Sequence, residues 1–452
     1  MQQLESRPQF LAVADRDASA DTKASSTMSP RHRVVILGGG FGGLYAAQSL
    51  KQVAVQVTLV DRRNFHLFQP LLYQVATGWL SPANIASTLR AVLRRQENAQ
   101  VLLAEVADID AARRKVSFAG GELGYDTLIV ATGSTHHYFG HDEWEKFAPG
   151  LKTIEDATEM RRRIFSAFEA AERESDPAKI HAWLTFIIVG GGPTGVELAG
   201  ALADIANYTL RHDFRSIDPA GARILLLEAS DRILSTYPEE LSRKAQTFLG
   251  KLGVAVQTRT AVTDVRTGEV AVKRGETSEI IACQTVLWAA GVRASHLGNA
   301  LARCANAELD RGGKVIVQAD FSISSHPEIF VIGDLANYTP TGCKPLPGIA
   351  PVAQQAGRYV AKVIESRLEG KAPPRFTYRD RGSMAIVGRA TAVAHLGRFY
   401  LAGFGAWLAW LFVHLMQIVQ FENRVLVLIQ WGWFYFRRSR AARLITGDKF
   451  TI

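Results

Sequence analysis

Two glycine-rich turns constrain this chain more than any other feature. "GGGFGG" spans Gly38–Gly43 behind "RVVIL", and "GGGPTGVELAG" spans Gly190–Gly200 behind "FIIV". Each carries a G-x-G-x-x-G spacing: Gly38, Gly40 and Gly43 in the first, Gly190, Gly192 and Gly195 in the second. Between a β-branched strand and a helix, the first glycine of such a set permits a tight turn. The second lets the backbone approach a pyrophosphate, and the third lets the helix pack on the strand. The helix N-terminus then faces the phosphates. An acid ends the next apolar strand in both cases, Asp61 after "VQVTLV" and Glu228 after "RILLL", where a ribose-binding carboxylate belongs. Glu228 lies farther from its turn than Asp61 does, so an insertion is expected around "ADIANYTLRHDFRSIDPAG". A glutamate there favours NAD over NADP by repelling a 2′-phosphate, and the nearby Arg232 works against that preference. The competing reading of either turn alone is a structural glycine bend.

The turns belong to an internal repeat. Each unit runs strand, glycine turn, helix, strand, then hairpin-like strands, then an apolar strand ending in small residues. The first ends "DTLIVATGS", with Ala131, Thr132 and Gly133; the second ends "QTVLWAAGV", with Ala290 and Gly291. Strand–helix–strand alternation implies parallel sheets carrying helices. The expected architecture is α/β: two Rossmann-like dinucleotide-binding domains plus a C-terminal amphipathic membrane-anchoring region. The expected extents are a disordered tail over 1–30, a FAD-binding first part over 31–150 and an NADH-binding domain over 151–300. A second FAD-binding part over 301–372 and a membrane-association region over 373–452 complete the division.

Composition narrows the function. The 452 residues, 47% hydrophobic and 21% charged, suffice for two to three domains with real cores. The net charge of +9 points to nucleic acid or to an anionic membrane. No zinc finger, basic heptad or basic–aromatic signature is present, so nucleic acid is not expected. Arg437, Arg438, Arg440 and Arg443 follow "VLVLIQWGWFYF", a context suited to lipid headgroups. Cys283, Cys304 and Cys343 lie far apart, and no metal site is expected. Residues 1–30 are polar and lack the apolar stretch of a signal peptide.

Two cradles call for two dinucleotides, and FAD with NADH is the economical pair. The layout from about Arg31 to Gly370 resembles the two-dinucleotide-binding-domain flavoproteins. That resemblance puts FAD on the first turn and NADH on the second. It also makes the Gly333–Asp334 strand end a second FAD contact and Ala290–Gly291 part of the NADH site. "FHLFQPLLYQVATG" holds no cysteine where disulfide reductases keep a redox pair, so no dithiol relay is available. "DRRNFHLFQPLLYQVATG", "GGGPTGVELAG", "LWAAGV", "YRDRGSMAIVGRATAV" and "AWLAWLFVHLMQIVQFENRVLV" closely resemble the type II NADH:quinone oxidoreductases. The reaction this implies moves a hydride from NADH to FAD and two electrons on to a membrane quinone, ubiquinone or menaquinone, without proton pumping. It also implies a peripheral, monotopic protein and allows a homodimer; the place where NADH is found and the positive C-terminal cluster put it on the cytoplasmic face of the inner (cytoplasmic) membrane. A ferredoxin or thiol reductase and a flavin-bound redox sensor are the competing functions.

The resemblance assigns roles residue by residue. Glu197 would lie near nicotinamide and flavin, orienting substrate or assisting proton movement. From the residues alone it sits on the first turn of a helix, where capping or dipole balance would also explain it. In "PGIAPVAQQAGRYVAK" the quinone-contacting amide is Gln354 or Gln355, depending on register, and a plain helix start behind Pro351 is the alternative. Tyr73 and Gln74 match flavin-pocket residues but equally suit core and hydrogen-bond filler. Val106 is carried over as a further FAD contact. His136, His137 and His141 read as loop histidines.

Phe399 to Phe421 contains no Asp, Glu, Lys or Arg, a length able to span a bilayer. His414, Gln417 and Gln420 recur every three residues as a weakly polar strip, and Gly403 and Gly405 weaken a simple span. Two Trp/Phe-rich segments flanked by arginines therefore read as anchors lying in one leaflet. A buried dimer contact is a third reading. A quinone acceptor favours the membrane.

Overall fold

The structure, a computed structural model, describes residues 31–340, 342–437 and 442–446. The expected tail over 1–30, Arg438, Arg440 and the side chain of Arg437 lie outside the described residues. The first glycine turn belongs to a six-stranded sheet. Its order is Ser322–Ile323, His326–Val331, Thr127–Val130, His32–Leu37, Val55–Asp61 and Ala99–Leu103. All pairings are parallel except that of the edge strand Ser322–Ile323. The inner strands are apolar on both faces, as a sheet covered by helices requires. One cover is the helix Phe41–Ser49, against which the helix Ala350–Leu368 packs with Gly357 so close that a Cβ would meet the Gly42 carbonyl. The chain thus leaves this lobe and returns to it.

The second turn belongs to a four-stranded parallel sheet ordered Val254–Gln257, Arg223–Leu227, Thr185–Val189 and Thr285–Trp288. Each lobe also carries a three-stranded antiparallel meander: Val106–Asp110, Lys115–Phe118 and Gly121–Gly124 in the first, Thr260–Arg266, Glu269–Arg274 and Thr277–Ala282 in the second. The apolar stretch "AQVLLAEVADID" is divided between two sheets. Ala99–Leu103 pairs with Val55–Asp61 in the parallel sheet, and only Val106–Asp110 joins the meander. The extra length before Glu228 is taken up by a π-helical turn, Ile205–Thr209, and a short 3-10 turn, Pro219–Gly221. Between the lobes, Ser134–His136 pairs antiparallel with Val292–Ala294.

The C-terminal apolar segment is not one element. Phe399–Gly403 is the third strand of an antiparallel sheet with Ser383–Gly388 and Thr391–Leu396. Gly403, at φ 79, breaks the strand and caps the helix Phe404–Gln417, and a second helix covers Phe421–Arg437. Among the described residues no helix is long and apolar enough to cross a membrane, so the bilayer-spanning reading fails. The polar strip fails too, because Gln420 lies beyond the helix end. His414 is instead half-buried, stacked on Trp410 at 4.3 Å, with Nδ1 on the Trp410 carbonyl. Ala406, Trp410, Leu415, Val427 and Trp431 share a core with Val196, Leu198 and Leu202 of the second lobe. Each large side chain buried there stabilises the fold by about 1.5–3 kcal/mol.

Candidate active site

The two glycine turns share the same glycine geometry and the same acid-to-backbone bonds. Gly38 has φ +101, and a Cβ there would lie 2.5 Å from the Ala131 carbonyl oxygen. Gly190 has φ +106, and a Cβ would lie 2.8 Å from the Ala290 nitrogen. At Gly43 and Gly195 a Cβ would collide with the carbonyls of Gly38 and Gly190, so only glycine lets these helices start so close to their strands. At Gly40 and Gly192 a Cβ would meet nothing within 4 Å. These are the positions where the backbone faces open space, as a pyrophosphate needs.

The two acids repeat the pattern. Asp61 accepts from the Gly39 N–H at 2.5 Å and from the Arg63 N–H at 2.7 Å. Glu228 accepts from the Gly191 N–H at 2.6 Å and from the Ser230 N–H at 2.7 Å. Burial pushes the Asp61 carboxyl up, against the pull of its two backbone donors. Arg232 turns to its own loop, donating to the Ser235 carbonyl at 2.8 Å, away from Glu228. The donor set, the open second glycines and the acid beside each turn fit two dinucleotides.

Asp334 follows Gly333, whose φ is +73, at the end of the strand beside Thr127–Val130. Its Oδ2 accepts from Ser134 Oγ at 2.7 Å and lies 3.7 Å from Lys152 Nζ, which donates to Ser134 Oγ at 3.1 Å. Sequence reasoning missed Ser134 and Lys152. The only signal was that Ser134 directly follows the Ala131–Gly133 turn. Thr132 Oγ1 is hydrogen-bonded to Ser295 Oγ at 2.6 Å across the inter-lobe ribbon, and Gly133 borders open space at φ +69. In the second lobe Gly291, at φ +68, abuts the Phe139 ring. Val106 packs in the core with Val35, Leu37 and Val130.

Glu197 lies beyond the expected first turn. Its helix is capped at Gly192 and begins at Pro193, so Glu197 is the fifth helical residue and the first turn holds no acid. The capping explanation fails with it. The carboxyl is buried and meets the Ile386 N–H at 3.5 Å, and desolvation pushes it well above the usual carboxylate range. Tyr237, also buried, is pushed up for the same reason. The two glutamines separate. Gln355 donates to the Arg379 carbonyl and accepts from the Arg379 N–H, both at 3.0 Å. Gln354 is buried and its Nε2 has no protein partner. Pro351 occupies the first turn of the helix Ala350–Leu368, as a plain helix start predicts.

Gln74 is fully buried. It donates to Tyr73 Oη at 2.9 Å and accepts from Trp431 Nε1 at 2.8 Å. It borders an apolar cavity with Trp79, Arg389, Trp407, Trp431 and Phe434. His136 pairs with Asp156 at 3.0 Å, and His141 stacks on Trp144. Arg443 of the basic cluster pairs with Asp213 on the second lobe.

Comparison with known proteins decides the family. Residues 32–357 match the pyridine nucleotide-disulphide oxidoreductase family, and residues 381–438 match the NDH2 C-terminal domain. The chain is 45% identical over 433 residues to the type II NADH:quinone oxidoreductase NdhA of Mycobacterium tuberculosis, covering 94% of this chain and 91% of that one. It is 46% identical over 427 residues to the type II NADH:quinone oxidoreductase Ndh of the same organism, covering 93% and 91%. The chain belongs to the type II NADH:quinone oxidoreductases. Its fold is that of NDH2 from Plasmodium falciparum in complex with NADH, at a TM-score of 0.84, 19% identity and 92% of this chain against 100% of that one. As a type II NADH:quinone oxidoreductase it shares the α/β scaffold and the family's own C-terminal segment, the two parts the sequence predicts.

Proposed function

We propose that this chain is a membrane-associated, FAD-dependent NADH:quinone oxidoreductase that does not pump protons. The observation that carries the reading is the pair of matched cradles, each with an open second glycine and a carboxylate bonded to its turn. Bound between these residues, FAD would supply the chemistry of accepting a hydride from NADH and passing two electrons to a quinone.

The chain's own residues bind and orient. Gly38, Gly40, Gly43 and Asp61 would hold the FAD pyrophosphate and ribose; Ala131, Thr132, Gly133, Gly333 and Asp334 would border its ribityl and ring, with Gln74 and Val106 behind. Asp334 would receive a hydroxyl while Ser134 and Lys152 hold its other side. Gly190, Gly192, Gly195, Glu228, Ala290 and Gly291 would hold NADH, with Glu228 repelling a 2′-phosphate. Glu197, its carboxyl pushed up by burial, would orient the reacting groups or hold a proton. Gln354 is favoured over Gln355 as the quinone-side amide, because its Nε2 is unpartnered. The FAD-binding parts would be 31–150 and 301–372, the NADH-binding domain 151–300 and the membrane region 373–452.

Phe412, Ile429, Trp433 and Phe436 are exposed on the two C-terminal helices while Trp410 and Trp431 face the core. Such two-faced helices lie in one leaflet with the apolar side down. The acceptor would then be ubiquinone or menaquinone, reached from the cytoplasmic face of the inner membrane, and a homodimer is part of the proposal. Anaerobic stopped-flow on the detergent-solubilised protein tests the reading. NADH should bleach the visible flavin absorbance, and a short-chain quinone should restore it. Bleaching without recovery would remove quinone as the acceptor.

A further inference from the structure

The matched turns differ in one bond. In the second, the Gly191 N–H is held by Glu228 and the Gly191 carbonyl accepts from the Leu234 backbone N–H at 2.7 Å. In the first, the Gly39 N–H is held by Asp61, but the Gly39 carbonyl is paired at 2.9 Å with a side chain, Nδ1 of His66. His66 is 1% exposed. Its ring stands edge-on to Phe41, the first residue of the following helix, with centroids 5.0 Å apart. A carbonyl oxygen only accepts, so Nδ1 carries the proton and the tautomer is fixed. Nε2 is buried without a protein partner.

The Gly39 carbonyl and the Gly40 N–H belong to one planar trans peptide and point in opposite directions. Holding the carbonyl on His66 therefore aims the Gly40 N–H away from His66. The Gly191 carbonyl on Leu234 aims the Gly192 N–H in the same manner. At both second glycines the backbone borders open space.

We infer that His66 is the positioning residue of the first cradle: its Nδ1–H fixes the Gly39–Gly40 peptide and so sets the hold on the flavin pyrophosphate. The inference rests on the first turn holding FAD. The main chain performs this task in the second turn, so NADH binding does not depend on His66. The flavin cradle is the one that a side-chain substitution can open.

The test is flavin release from the holoenzyme on dilution, read by the fluorescence of free flavin, alongside the KM for NADH. His66→Ala should release flavin about tenfold faster, the scale of one buried hydrogen bond, with the NADH KM unchanged. His66→Asn carries its amide N–H near the position of Nδ1 and should restore retention. His66→Gln carries it near Nε2 and should not. Should the alanine variant fail to fold, the Asn and Gln pair still decides. Equal release from His66→Asn and His66→Gln, or wild-type retention by His66→Ala, overturns the inference. Gly40→Val separates the two levels. If it keeps its flavin, the assignment of FAD to this turn is wrong. If it loses flavin and His66→Ala does not, only the role of His66 is wrong.

Discussion

Gln74 and Trp431, 357 residues apart, are joined by a buried hydrogen bond of 2.8 Å from the indole Nε1 to the amide Oε1. The bond ties the second C-terminal helix to the segment expected to line the flavin. Trp431→Phe keeps most of the apolar volume and leaves Gln74 Oε1 buried without that donor. The expected cost is about 1–3 kcal/mol of stability. Thermal melts of the holoenzyme measure it, and an unchanged midpoint would show that the bond contributes nothing.

The same packing changes what a truncation does. Removal of residues 399–452 strips Trp410, Leu415 and Trp431 from a core shared with the second lobe. The truncated chain is expected to lose its fold around that exposed core. Charging the exposed face is the cleaner experiment. Phe412→Glu with Ile429→Glu alters side chains 64% and 62% exposed. Each substitution should weaken membrane partitioning roughly tenfold or more. Sedimentation with vesicles reads this, while NADH oxidation by a water-soluble dye should persist. A variant that still pellets fully would move the membrane face elsewhere.

Valine at the second glycine of each turn separates the two cradles. Gly40 and Gly192 have open space where a Cβ would go, so the fold tolerates the side chain and the pyrophosphate does not. Gly40→Val should yield a folded, colourless protein. Gly192→Val should stay yellow with an NADH KM raised tenfold or more, roughly the loss of one or two backbone contacts to phosphate. The opposite pattern would exchange the two assignments.

Glu228→Ala removes both the acceptor for the Gly191 and Ser230 N–H groups and the charge facing the ribose site. NADH KM should rise several-fold, and the preference over NADPH should narrow by about tenfold, as expected for one lost charge contact. Flavin content should stay the same. Unchanged discrimination would place the ribose elsewhere.

Glu197 carries a pH signature. Its folded pKa is raised by burial, so the folded state binds the proton more tightly than the unfolded chain. Stability from this group is fully present below the ordinary carboxylate range and is lost as pH rises towards the raised value. Glu197→Gln should abolish that decline and be the more stable form at neutral pH. Melting temperatures across the pH range compare the two, and parallel curves would refute the assignment.

The parts legible in the sequence were those fixed by local spacing. Gly38, Gly40, Gly43 and Asp61, like Gly190, Gly192, Gly195 and Glu228, declare themselves because turn, helix start and strand end stand at set intervals. Glu197 was misplaced by a turn because Gly192, not a residue nearer the glutamate, ends the extended segment. Phe399–Gly403 is hidden inside an apolar run because what makes it a strand is its antiparallel pairing with Thr391–Leu396, and its own residues do not alternate between buried and exposed. Ser134, Lys152 and His66 were invisible as partners. Their roles come from carbonyls and carboxylates brought near by the fold, and no spacing rule encodes that.

The ribbon of Ser134–His136 and Val292–Ala294 is the place where the chain passes from one lobe to the other and back. Two strands crossing side by side make a double tether. A single cut in either crossing severs the polypeptide but leaves the neighbouring strand to hold the pieces in register. A nick in either strand is thus expected to leave the two lobes joined.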